Sequence, residues 1–147
     1  MGIAQPVVRE PSLEWFQLSD AFDDGEPNLF SLLRWDFGLV ETLLGRNDDL
    51  NNILAWAESG SKMPSARLIT GVGGAGKTRL AACAARILRD KGWTAGFLPR
   101  TSSEIDFSVG ETGLFLILDY PEEQPDRTHA VLSERADAQI QRRRMLI

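Results

Sequence analysis

Gly71-Val72-Gly73-Gly74-Ala75-Gly76-Lys77-Thr78 is the stretch on which the reading of this chain turns. Four of its first six residues are glycine, so the backbone can follow a path on which successive N–H groups point inward and side chains do not intrude. Arg67-Leu68-Ile69-Thr70 precedes it, a short apolar run that predicts a strand. Behind it, Leu80, Ala84, Ile87 and Leu88 recur at helical spacing and predict a helix from Lys77 to about Asp90, closed by Lys91-Gly92. A glycine-rich turn between a strand and a helix that satisfies G-x-x-x-x-G-K-[ST] is the pattern of a phosphate-binding loop. Its N–H groups and the start of the helix offer partial positive charge to phosphate oxygens. Lys77 is then expected to reach the β- and γ-phosphates of a nucleoside triphosphate, and the Thr78 hydroxyl to ligate Mg²⁺. A dinucleotide-binding reading of the same glycines leaves Lys77 and Thr78 without a task.

Moving toward the C-terminus, Trp93 to Leu98 predicts a second strand stopped by Pro99, and Thr101 to Asp106 a polar connection. Leu114 to Leu118 is a continuous apolar run, as in a strand buried on both faces of a parallel sheet. It ends in Asp119, at the carboxyl edge where open α/β sheets bind ligands, so Asp119 is expected to share the magnesium with Thr78. Glu122 and Glu123 follow closely enough to face the same cleft, and either can orient and deprotonate a water for hydrolysis. Residues 127 to about 143 predict a helix with a thin apolar face, with Arg142 to Arg144 as its solvated end and His129 on the surface. Strands alternating with helices point to an α/β fold with a parallel sheet.

Toward the N-terminus, Asn47 is placed to cap a helix carrying Asp48 and Asp49 in its first turn. Leu50, Ile53, Leu54 and Ala57 form its apolar face, and Ser59-Gly60 ends it. Trp35, Phe37 and Leu39 alternate as in a short extended segment. The acidic stretch from Asp20 to Pro27 lacks the ligand register of a calcium loop and reads as a solvated turn. With 147 residues and 43% hydrophobic content, the chain can bury one ordinary core. A net charge of -5 makes a general nucleic-acid binder an unlikely class, since such proteins carry a basic face. Cys83 is the single cysteine, so no intrachain disulfide forms, and it reads as a small apolar helix residue. Neither a signal peptide nor an apolar run of membrane-spanning length is present, so a cytoplasmic setting away from membranes is expected.

From roughly Leu32 to Asp126 the sequence resembles the nucleotide-binding domain of bacterial STAND-type ATPases, signalling relatives of AAA+ proteins. Leu44-Gly45-Arg46-Asn47-Asp48-Asp49-Leu50 looks like the family's Gly-Arg-x-x-(Asp/Glu)-Leu entrance motif, Gly71 to Thr78 like its Gly-x-Gly-Gly-x-Gly-Lys-Thr loop, and Leu118-Asp119-Tyr120-Pro121-Glu122 like an Asp-Tyr-Ala-Glu magnesium strand with Pro121 in place of the small residue. The resemblance implies a P-loop NTPase-like parallel sheet with flanking helices, spanning residues 41–147 after a lead-in segment over 1–40. It also implies ATP and Mg²⁺ as cofactors. The nucleotide would be held by Gly71, Val72, Gly73, Gly74, Ala75, Gly76, Lys77, Thr78 and Arg79, with Gly45 and Arg46 close to its base. The metal would sit on Thr78 and Asp119, and Lys77 and Glu122 would serve catalysis. Family members continue with further strands, a γ-phosphate-sensing arginine and a helical lid. The sheet is therefore expected to be incomplete at the C-terminal side, with Arg144 to Ile147 as the start of its next strand and a central position left open.

Three functions compete on these grounds. The first is a nucleotide switch with slow hydrolysis, working with other domains or protein partners of a signalling assembly. The second is a nucleotide-binding module that does not hydrolyse. The third is a small-molecule kinase, which would need a lid of arginines that Arg142 to Arg144 come too late to supply.

Overall fold

The computed structural model describes residues 45–60, 65–99, 112–133 and 143–146. Its helices are α1 (Asn47–Ala57), α2 (Lys77–Asp90) and α3 (Pro125–Ser133), and its strands are β1 (Ser65–Arg67), β2 (Thr94–Phe97), β3 (Leu114–Ile117) and β4 (Arg143–Leu146). A 3₁₀ turn, Pro121–Glu123, lies between β3 and α3. The strands form one parallel sheet in the order β1-β4-β3-β2. The chain is thus α/β, as the alternation of elements predicts. The lead-in over 1–40, the acidic stretch at 20–27, the Trp35–Leu39 alternation and the 101–106 connection lie outside the described residues.

Register assigns the two faces of the sheet. Ala95 lies beside Phe115 and Phe115 beside Arg144, while Phe97 lies beside Ile117 and Ile117 beside Leu146. Because side chains alternate along a strand, these residues share one face, and α1 and α2 cover it. The core there joins Ile53 and Ala57 of α1 to Leu80, Ala81, Ala84, Ala85 and Leu88 of α2 and to the strand residues. The three alanines let α2 lie close to the sheet. Trp56 meets Phe115 edge to face, ring centroids 6.3 Å apart. Leu114 and Leu116, on the opposite face, are also buried, which is why the β3 run is apolar without alternation.

Helix α2 ends in a Schellman motif. Lys91 is the C-cap, Gly92 takes φ +83°, its N–H donates to Arg89 O at 2.8 Å, and the Trp93 N–H donates to Leu88 O at 3.0 Å. Trp93 then packs so closely over Gly113 that a Cβ there would lie 2.6 Å from the indole ring. Glycine at 113 is required by this approach.

Four expectations change. Helix α1 begins at Asn47 itself, with Arg46 at the N-cap and no side-chain cap. Strand β1 ends at Arg67, because its one described neighbour, β4, pairs only Ser65 to Arg67; Leu68 is 67% exposed despite its apolar character. The helix expected over 127–143 is α3, described only to Ser133, and Arg143 opens β4. Arg144 is consequently no solvated helix end: it is fully buried in the sheet. Finally, the strand expected to start at Arg144 is present as β4, beginning one residue earlier, and it fills the central position expected to stand open, between β1 and β3.

Arg144 can be buried because its guanidinium is used. It points from the sheet at the C-terminal end of α1, where Nε donates to Trp56 O at 3.3 Å and Nη2 to Ser59 O at 3.4 Å and Ser59 Oγ at 3.3 Å. The last carbonyls of a helix lack intrahelical donors and carry partial negative charge, so a cation is well placed there. Arg67, exposed but beside Leu146 on this same face, lies over the Trp56 ring at 5.0 Å. No helix among the described residues is long and apolar enough to cross a membrane.

Candidate functional site

All four strands run the same way, so the segment leaving β1 and the residue following β3 emerge at one edge of the sheet. After Leu68, Ile69 and Thr70 the chain enters the Gly71–Thr78 loop and passes into α2. Gly74 and Gly76 adopt left-handed conformations with φ +75° and +77°, where an L side chain costs about 1–2 kcal/mol. The Ala75 N–H donates to Val72 O at 3.3 Å, closing a turn within the loop. Gly76 is the N-cap of α2 and supplies no side-chain cap, so the first N–H groups of that helix keep the open donors of any helix start. At Gly73 a Cβ would meet no protein atom within 4 Å and the φ is not left-handed. Neither packing nor backbone strain asks for glycine there.

Lys77 turns back over this loop. Its Nζ donates to Gly71 O at 2.7 Å and to Val72 O at 3.0 Å. Thr78, one residue on, reaches the neighbouring strand: its hydroxyl donates to Asp119 Oδ1 at 3.2 Å, with Oδ2 at 3.4 Å. Two residues 41 positions apart are thus brought into contact across the edge of the sheet. Arg46 joins them from α1. Its Nη1 donates to Ala75 O at 2.9 Å, and its Nε lies 2.6 Å from Asp49 Oδ2, an ion pair whose N–H is not aimed for a hydrogen bond.

The residues the sequence singles out therefore divide. The loop, Lys77, Thr78, Asp119 and Arg46 form one connected cluster. Gly45 stands at the entrance to α1 with φ +70° and is exposed, and Arg79 is half-buried in the first turn of α2. The two glutamates separate. A shallow cleft beside Asp119 is lined by Tyr120, Glu123, Gln124, Arg127 and Thr128 over a floor of Leu98 and Leu118, and Glu122 is exposed and not on its lining.

This cleft holds residues that sequence reasoning passed over. Arg127 Nη1 donates to Gln124 Oε1 at 3.0 Å, and Thr128 Oγ1 donates to Pro121 O at 3.1 Å. Tyr120, directly after Asp119, takes φ +53° and ψ 55°, a costly conformation for a residue with a Cβ. The sequence did carry one signal here: Pro125 favours the first position of a helix, and α3 begins at Pro125.

The Thr78–Asp119 pair suits a small hard cation. Two oxygens at right angles on an ion with bonds of about 2.1 Å sit about 3.0 Å apart, close to the 3.2 Å observed. Among the described residues no group of three or more His, Cys, Asp or Glu could hold a metal. Comparison with protein-family models, curated proteins and solved structures finds no match for this chain.

Proposed function

We propose that this chain binds a nucleoside triphosphate, with ATP as its ligand, together with Mg²⁺, at the Gly71–Thr78 loop and Asp119. It would serve as the nucleotide switch of a cytoplasmic signalling ATPase of the P-loop type. The observation that carries the reading is the Thr78–Asp119 contact at 3.2 Å. A glycine-rich loop by itself could be a turn, but a loop that also presents a hydroxyl to an acid from a separate strand has the two protein oxygens a phosphate-bound magnesium uses. Gly73 adds to this, since room for a ligand remains as a reason for glycine where the fold supplies none.

In this reading the N–H groups at the start of α2 receive phosphate oxygens. Lys77 exchanges the Gly71 and Val72 carbonyls for the terminal phosphates, its ammonium already lying over the loop. Bound Mg²⁺ would supply charge neutralisation between the outer phosphates. Thr78 and Asp119 fix where that charge sits. For hydrolysis, Glu122 and Glu123 both stand exposed on the 3₁₀ turn after Asp119, and either could orient a water, Glu122 being the one the family resemblance favours. Exposure of both carboxylates to solvent leaves a second reading, in which nucleotide is bound without turnover. A kinase would need a lid of arginines, and Arg144 is not available for one, because its guanidinium is committed to the end of α1.

A thermal-shift titration with Mg-ATP, Mg-GTP and ADP tests the proposal, with Lys77→Ala as control. Ligand at ~100 times its dissociation constant should add about 2.7 kcal/mol, a shift of several degrees. A shift that vanishes in Lys77→Ala supports the site. A cooperative melt that no nucleotide moves refutes it.

A further inference from the structure

The glycines that open the phosphate loop also leave it under-determined, and Arg46 is placed to remove that freedom. The peptide joining Ala75 to Gly76 is trans, so its C=O and N–H point in opposite directions. Whatever holds the Ala75 carbonyl on one side aims the Gly76 N–H to the other. Rotating this peptide changes ψ of Ala75 and φ of Gly76, and glycine accepts either sign of φ at little cost. Nothing in the covalent chain favours the orientation observed.

Arg46 does. Its guanidinium comes from outside the loop, 29 residues earlier in sequence, and donates to Ala75 O at 2.9 Å. The side chain is two-thirds buried, and Asp49 on the first turn of α1 holds it from behind at 2.6 Å. The carbonyl is thereby drawn toward α1 and the Gly76 N–H turned away from it. We propose that Arg46 is a positioning residue that fixes the Ala75–Gly76 peptide, so that the Gly76 N–H stays in the set of donors facing the phosphates. This rests on the nucleotide reading above, but it gives Arg46 a task different from contact with the base.

The two tasks separate in a calorimetric titration of the full chain with Mg-ATP, Mg-GTP and Mg-tripolyphosphate, a probe with no base. If losing the latch leaves the peptide correctly turned in about a tenth to a fifth of molecules, affinity falls about five- to tenfold. Arg46→Ala should show that loss equally for Mg-ATP and Mg-tripolyphosphate, with the ATP-to-GTP ratio unchanged. Asp49→Asn, a substitution at an exposed position that loosens the guanidinium without removing it, should show a smaller loss of the same pattern. In the ligand-free protein, Arg46→Ala should also broaden or shift the Gly76 amide resonance, which needs no nucleotide at all. Unchanged tripolyphosphate affinity with an altered ATP-to-GTP ratio would overturn the inference in favour of base contact. Unchanged affinity for every probe, or an unmoved Gly76 resonance, would overturn it outright. A wild-type chain that binds none of the probes would instead refute the nucleotide reading, leaving the amide resonance as the test of the latch.

Discussion

Replacing Arg144 gives the sharpest test of how this sheet and its first helix are joined. Its side chain is fully buried, and it donates hydrogen bonds to Trp56 O, Ser59 O and Ser59 Oγ at 3.3–3.4 Å. Arg144→Ala removes two buried methylenes, about 1.6 kcal/mol at ~0.8 each. Trp56 O keeps a partner, because the Ser59 N–H also donates to it at 3.2 Å. Ser59 O loses its Arg144 donor, and an unsatisfied buried carbonyl costs about 1–3 kcal/mol; half-burial of Ser59 argues for the lower end. The sum is about 3 kcal/mol, a large share of the 5–15 typical of a domain. At about 2–4 °C per kcal/mol, the melting temperature should drop by about 6–12 °C. Arg144→Met should recover about half of that loss, since it restores volume without the donors. Ser59→Ala on the Arg144→Ala background should cost less than it does alone, because the hydroxyl has already lost its donor. Thermal melts by circular dichroism read all of these. An Arg144→Ala protein melting within about 2 °C of wild type would refute the argument, as it would mean the buried guanidinium is not holding α1 to the sheet.

Other expectations are independent of that one. Gly113→Ala puts a Cβ 2.6–2.9 Å from three atoms of the Trp93 ring, and moving a buried indole should cost about 1–3 kcal/mol in a denaturant melt. A full-stability Gly113→Ala protein would show that the Trp93 packing is loose. Asp119→Asn should weaken Mg-ATP much more than metal-free ATP, and equal loss of both would remove Asp119 from the metal site. Where turnover is measurable, Glu122→Gln should reduce it about 10²- to 10⁴-fold while Glu123→Gln changes it little; the reverse order would move the base to Glu123.

Legibility in the sequence followed the range of the interactions involved. Helix α2 was readable in its bounds, because its start and its Lys91-Gly92 stop are local, while its buried face includes Ala81 and Ala85 rather than Ile87. Strand β3 was readable because a strand buried on both faces is continuously apolar. Of the two readings of Arg144, the strand start held and the solvated helix end did not: a run of three arginines is normally solvated, and the carbonyls that hold this guanidinium, Trp56 O and Ser59 O, lie 85 or more residues away. Strand β1 was displaced because Leu68 and Ile69 are the apolar residues, whereas pairing falls on Ser65 to Arg67 beside β4. At the site, the loop and Asp119 were visible as types and spacings. The 3₁₀ turn that carries Glu122 and Glu123 was not, nor was the left-handed Tyr120 before it, since no local residue pattern announces either.

The strand order explains why the separate motifs meet at all. Sheet neighbours lie about 4.8 Å apart, so β1 and β3, with β4 between them, are separated by roughly twice that. Asp119 therefore does not face the loop's root on β1. It faces Thr78, which the loop has carried across the end of β4 to the start of α2. The reach of the loop is thus matched to one intervening strand, and β4 is what sets the distance. It is also the strand that carries Arg144, which fixes the far end of α1, while Arg46 at the near end of the same helix holds the loop. Helix α1 consequently spans from the central strand to the phosphate loop, tied at both ends by arginine. A displacement of β4 would reach the loop by two routes: the Thr78–Asp119 distance, and the tilt of α1 acting through Arg46 on Ala75.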